Sequence, residues 1–208
     1  LAALALERTR LAARGLAFEE KPPASLDPGE REALEALRIT LGVYWLVEPV
    51  RGALFATQYL RRALDAGDAR HILRGLETEV TYIALYGGHK AEQRAAEIHR
   101  ECTALAMRTG SPTKLGGLKL AEAGFHAIYG RKQQSSECAA IALSQPQQPG
   151  LSWERAYARF HFYQSCLYVG GRAHLADEIE LFVNEAESRH DGFAFATLLP
   201  LLGMARLM

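Results

Sequence analysis

The stretch DARHILRGLETEVTYIALYGGHKAEQRAAEIHRECTALAMRTG, residues 68–110, decides the fold of this chain. It reads as one complete pair of helices joined by a single break at Tyr86-Gly87-Gly88. Two similar joints bracket it, Ala66-Gly67-Asp68-Ala69 and Thr109-Gly110-Ser111-Pro112. In each, a glycine able to end a helix in the left-handed conformation precedes a side-chain oxygen able to cap the next helix.

The same unit recurs outward in both directions. Upstream, residues 1–20 are led by an arginine-rich helix with Leu4, Leu11 and, after Gly15, Leu16 apolar; it ends near Gly15 and gives way to Lys21-Pro22-Pro23-Ala24-Ser25, a proline-rich linker over 21–26. Asp27-Pro28-Gly29-Glu30 is the strongest helix start in the chain: a capping aspartate, proline at the first helical position, and a glutamate spaced to reach back to the cap. The helix it opens carries Leu34, Leu37, Leu41, Tyr44 and Trp45 at helical spacing and stops at Glu48-Pro49. Its partner runs from Val50 to Ala66, with Leu54, Tyr59, Leu60 and Leu64 inward and Arg61-Arg62 outward. Downstream, a third pair runs from Ser111 through Gly130 to Ser144, and Gln145-Pro146-Gln147-Gln148-Pro149-Gly150 closes it as a loop. A fourth runs from Ser152 through Val169-Gly170-Gly171 to His190, and Asp191-Gly192 opens a fifth first helix.

The caps Asp27, Asp68, Ser111, Ser152 and Asp191 fall 41, 43, 41 and 39 residues apart. A second mark keeps the same rhythm, since Tyr86, Tyr129 and Tyr168 each precede the glycine that breaks a pair. Arrays of antiparallel helix hairpins have periods of this order. No segment alternates apolar and polar residues between turn signals, so no strand is predicted. The expectation is an all-α, right-handed superhelical solenoid of helix hairpins, tetratricopeptide-like with a period of about 40 residues, forming one repeat domain over 1–208. A non-repeating helical bundle is the alternative.

Composition narrows the function classes. The chain of 208 residues is 49% hydrophobic, enough for a substantial core, and balances 24 basic against 24 acidic residues without a basic block. Direct binding to nucleic acid is therefore not expected. No long apolar run suggests a membrane span or secretory signal, so a cytoplasmic location is expected. Cys102, Cys138 and Cys166 are odd in number and sit in helical patterns, which argues for free thiols. The chain starts at Leu1 inside a helical pattern and stops at Met208 without a capping signal, so it reads as a piece of a longer protein.

Particular residues carry a resemblance. Phe55-Ala56-Thr57-Gln58-Tyr59-Leu60, Ala63-Leu64-Asp65-Ala66-Gly67-Asp68, Tyr86-Gly87-Gly88, Gly150-Leu151-Ser152-Trp153-Glu154 and Asp191-Gly192-Phe193-Ala194-Phe195-Ala196-Thr197 form a series, in this order, along most of the chain. The series resembles the C-terminal tetratricopeptide-like helical region of large bacterial serine/threonine protein kinases that also carry an AAA-type ATPase module. The resemblance implies a regulatory or interaction array within such a kinase. The strict tetratricopeptide period of 34 is not kept.

Catalytic motifs are missing from the sequence. Gly87-Gly88-His89-Lys90 lacks the spacing and the hydroxyl of a phosphate-binding loop, and Asp191-Gly192-Phe193 has the wrong order for a kinase magnesium aspartate. The ATP-binding and kinase functions of the implied parent would lie elsewhere. His99 and Cys102 share a helix face but lack further ligands for structural zinc, so neither metal nor cofactor is expected. His161 and Cys166 do not share a face, and Glu77 and Glu79 point to different sides and are expected to be solvated. Tyr157, Phe160, His161, Phe162, Tyr163 and Tyr168 crowd one helix, so some pack between hairpins and others reach a groove.

The expected function is that of a non-catalytic interaction or sensor array whose first helices line a concave surface. Arg74, Glu77, Lys119, Glu122, Arg159 and Tyr163 are its predicted groove residues, for a protein or peptide partner or for other domains of the same chain. A small-molecule sensor array of an ATP-dependent transcription activator, and a helical enzyme with an unrecognised site, are the alternatives.

Overall fold

The computed structural model describes residues 1–109, 113–145, 152–170 and 174–208. Among them there are ten α-helices and no strand, so the chain is all-α. It divides into two compact units, Leu1–Gly110 and Ser111–Met208.

The first unit holds α1 (Ala2–Arg14), a short 3-10 turn (Pro23–Ser25), α2 (Pro28–Val47), α3 (Pro49–Ala66), α4 (Ala69–Leu85) and α5 (Gly88–Thr109). Helices α2 with α3, α3 with α4, and α4 with α5 pack side by side in chain order, and α1 lies on α3. Tyr59, Leu60 and Leu64 of α3 and Ile72, Leu76 and Val80 of α4 are almost wholly buried and form the centre. Sequence punctuation sets the boundaries as expected. The Asp27 carboxylate accepts from Glu30 N–H at 3.0 Å, and Asp68 accepts from the N–H groups of Arg70 and His71 at 2.9 and 3.2 Å.

The leading helix ends as expected: it stops at Arg14, and Gly15 takes φ 72° and turns the chain out of it. Two other details differ from the sequence reading. Glu30 does not reach back to the cap; its carboxylate accepts two hydrogen bonds from Arg62, at 2.9 and 2.6 Å. Arg61 also pairs with Glu7, so both arginines, expected to point outward, bind neighbouring helices and are only partly exposed. Glu7 is buried on α1: burial works to raise its carboxyl, but the guanidinium groups of Arg10 and Arg61 hold it below the ordinary range.

Gly67 ends α3 at φ 76°, and its carbonyl accepts from Lys21 N–H at 2.9 Å, tying the 21–26 segment to the end of α3. A Cβ there would lie 2.5 Å from the Glu19 carbonyl oxygen. Gly67→Val is expected to cost at least about 1 kcal/mol, from the disfavoured positive φ and that overlap. Urea unfolding checks it, and an unchanged midpoint would mean that the joint is not held as described. The matching joint at Gly110, with the Ser111 cap, lies outside the described residues, as do the cap side chain of Ser152 and the loop after Gln145.

The second unit holds α6 (Thr113–Ile128), α7 (Lys132–Ser144), α8 (Ser152–Val169), α9 (Leu175–Ser188) and α10 (Gly192–Leu207). Helices α6 and α7 form a hairpin, α7 and α6 both pack on α8, and α8 packs on α10. Asp191 caps α10 by accepting from Ala194 N–H at 3.0 Å. The fourth hairpin is looser than expected. The closest backbone neighbour of α9 is α10, and α9 meets α8 through bulky side chains, with Phe182 set against Tyr163 at 6.1 Å between ring centroids. Tyr163, Leu167, Ile179, Val183, Leu198 and Leu201 fill the space between these helices. No helix among the described residues is long and apolar enough to cross a membrane.

Candidate functional site

The predicted groove residues fall in both units and are mostly engaged with their own neighbours. On α4, Arg74 approaches Glu77 at 3.7 Å, and Glu77 is buried. On α6, Lys119 donates to Glu122 at 2.6 Å. On α8, the Arg159 guanidinium lies 3.6 Å from the Phe182 ring centroid and 3.6 Å from Glu185. Burial pulls its pKa below the ordinary arginine range, while Glu185 opposes that shift. Tyr163 is inside the core, where burial pushes its hydroxyl up to about 12. The crevice beside Arg159 holds only about 40 Å³, room for roughly one water molecule.

Glu79 is buried as well, so the expectation that Glu77 and Glu79 are solvated is corrected for both. The physical reason for Glu79 is α1, whose Arg8 donates to it twice, at 2.6 and 2.8 Å. A partner so distant in sequence leaves no local signal. Next to this pair, α1, α4 and α5 enclose a cleft of about 260 Å³ over Leu11, Leu16, Ile83 and Ile98. That is below the roughly 300–1,000 Å³ usual for small-molecule sites. Its charged rim is paired, Arg8 to Glu79 and Arg94 to Glu97.

A surface feature that sequence reasoning missed lies on α2. Ile39, Val43 and Val47 are 59%, 61% and 76% exposed, and Val50 extends the patch onto α3. At about 100° per residue, the three sit on the side of α2 opposite Leu34 and Leu41, which are buried. The helix thus carries two apolar lines, and only one of them meets the core. Counting both lines would have found it, because a surface helix with a single buried face has no use for the second.

Unit 2 holds the other concentration of chemistry. Glu122 and His126, one turn apart on α6, face Cys138 on α7, and one ligand atom of each lies within 4.8 Å of the others. His126 Nε2 is 3.9 Å from Glu122 Oε1, and His126 Nδ1 is buried with no hydrogen-bond partner among the described residues. Burial, with Glu122 alongside, pushes the Cys138 thiol up to about 11. On α8, His161 is buried and T-stacked on Tyr157 at 4.4 Å, with neither ring nitrogen partnered among the described residues. Burial first, and then the charge of Lys132, lowers its pKa to about 4, so it is neutral at pH 7. All three cysteines are buried and none forms a disulfide. Cys102 and His99 remain a pair on α5, and burial raises the Cys102 thiol far above its ordinary value.

Comparison with protein-family models, with curated proteins and with solved structures gives no match to this chain.

Proposed function

We propose that this chain is a non-catalytic helical-repeat interaction module, the regulatory or sensor array of a multidomain bacterial serine/threonine kinase that also carries an ATPase module. In this reading the hairpins stack with a right-handed superhelical turn, first helix beside first helix, and the first-helix layer receives the partner. The order α6, α8, α10 in unit 2, each packed on the next, supports the stacking. The kinase assignment rests on the sequence resemblance alone.

The observation that carries the binding role is the outer line of α2. Three β-branched aliphatic side chains stand in water along three turns of one helix, a costly arrangement unless something covers them. Their four-residue spacing suits an amphipathic helix laid along them, with anchors at matching positions. The charged groove residues then act mainly as internal ties: Lys119 to Glu122, and Arg159 to Glu185.

The test is selection of displayed peptides on the purified chain, followed by titration of the winners against wild type and Val43→Asp. Peptides with apolar residues at helical spacing are expected. Val43→Asp should weaken them at least about tenfold, as removal of a central apolar anchor does. Peptides that bind Val43→Asp as well as wild type would remove α2 as the binding face.

A further inference from the structure

We propose that Glu122, His126 and Cys138 form a binding site for a transition-metal dication of the zinc class, shared between α6 and α7. Glu122 lies six residues before the end of α6 and Cys138 six after the start of α7, so the hairpin turn brings them level. His126 is one turn beyond Glu122 on the same face. Carboxylate oxygen, imidazole nitrogen and thiolate sulfur are the three donor types zinc takes, and hard cations such as magnesium or calcium would not select the sulfur.

The dimensions are close to those required. Tetrahedral zinc with bonds of about 2.0 Å to nitrogen and about 2.3 Å to sulfur sets its ligand atoms about 3.3–3.6 Å apart. The three atoms here lie within 4.8 Å, and the histidine and carboxylate within 3.9 Å. Rotation of the Glu122 and His126 side chains, both half-buried, brings their ligand atoms toward the buried Cys138 sulfur.

Lys119 looks at first like an obstacle, since its ammonium is 2.6 Å from Glu122. It holds Oε2, however, while Oε1 is the oxygen nearest His126. A carboxylate bound to metal through one oxygen and hydrogen-bonded through the other is the usual supported arrangement, which makes Lys119 a positioning residue. Metal binding displaces the thiol proton of Cys138 to solvent, leaving a thiolate and a carboxylate to balance the dication. Three protein ligands leave the fourth tetrahedral position to water or to a side chain from a partner.

The reduced full chain is titrated with Co²⁺ and, by calorimetry, with Zn²⁺. One equivalent of Co²⁺ is expected to give a thiolate-to-cobalt charge-transfer band, which Cys138→Ser abolishes and Cys102→Ser leaves intact. His126→Gln and Glu122→Gln should each weaken Zn²⁺ at least about tenfold, with helical circular dichroism unchanged. These two variants carry the test if Cys138→Ser does not fold. Absence of the band in wild type at micromolar Co²⁺ would overturn the site, as would a band that survives Cys138→Ser or Zn²⁺ affinity indifferent to both α6 variants.

Discussion

Gly75→Val is expected to destabilise unit 1 by about 3 kcal/mol, while Gly42→Ala stabilises it by up to about 1 kcal/mol. Both glycines lie inside helices, and replacing glycine there relieves a backbone entropy cost of about 1 kcal/mol. What differs is the space around them. A Cβ at Gly42 would meet nothing within 4 Å, but one at Gly75 would sit 2.9 Å from Leu60 Cδ1 and 3.1 Å from Leu60 Cα. The Leu60 methyl can turn away; the Cα belongs to the backbone of α3 and cannot. Gly75 is therefore a point of close approach between α3 and α4, and overpacking there costs about 1–3 kcal/mol for small insertions. Alanine at 75 should come out near neutral, because the propensity gain offsets the overlap. Valine adds two more methyls and β-branching, and it loses.

Each unit carries one tryptophan, Trp45 or Trp153, so a Trp153→Phe background reports unit 1 alone by fluorescence. Urea midpoints at constant m-value give the differences. A Gly75→Val midpoint equal to wild type would mean that α3 and α4 do not touch at that glycine.

The elements were legible in the sequence because each is announced locally. Asp27-Pro28, Glu48-Pro49, Gly67-Asp68 and Asp191-Gly192 punctuate the chain through cap and backbone chemistry that acts within four residues, and the helices begin and end there. What joins one element to another was not legible. Arg8 with Glu79 and Arg62 with Glu30 are pairings across 71 and 32 residues, and no local rule selects which carboxylate an arginine will find. The same reason hid the candidate metal ligands: the sequence offers His99 and Cys102 at a conspicuous spacing, whereas Glu122, His126 and Cys138 meet only once the α6–α7 hairpin has formed. Tyr163 and Glu77 belong to the predicted groove only as polar residues on first helices, and that position does not say which neighbour covers a face. Phe182, coming from α9, covers Tyr163.

Acidification is expected to weaken unit 2 by up to about 3 kcal/mol between pH 6.5 and pH 4 through His161 alone. The ring is 4% exposed, so solvent does little to screen the effect. Its pKa in the folded chain is about 4, against an ordinary value of 6.5. Within that window the unfolded chain holds a proton on His161 and the folded chain does not. Unfolding therefore takes up a proton, and stability falls as the pH falls; it is complete above pH 6.5 and exhausted at about pH 4. A protonated ring would have to hold its charge within the packing around Tyr157 and near the ammonium of Lys132, with no carboxylate among the described residues accepting from either nitrogen. Buried carboxylates elsewhere also respond to acid, so the measurement is a difference: stability against pH for wild type and His161→Phe, followed by Trp153 in a Trp45→Phe background. Phenylalanine keeps the ring contact with Tyr157 and removes the titrating group. The variant should lose the slope between pH 6.5 and 4 and overtake wild type at the acid end. Parallel curves across that window would show that His161 takes up its proton equally in both states, and would place the ring in water instead of in the interior.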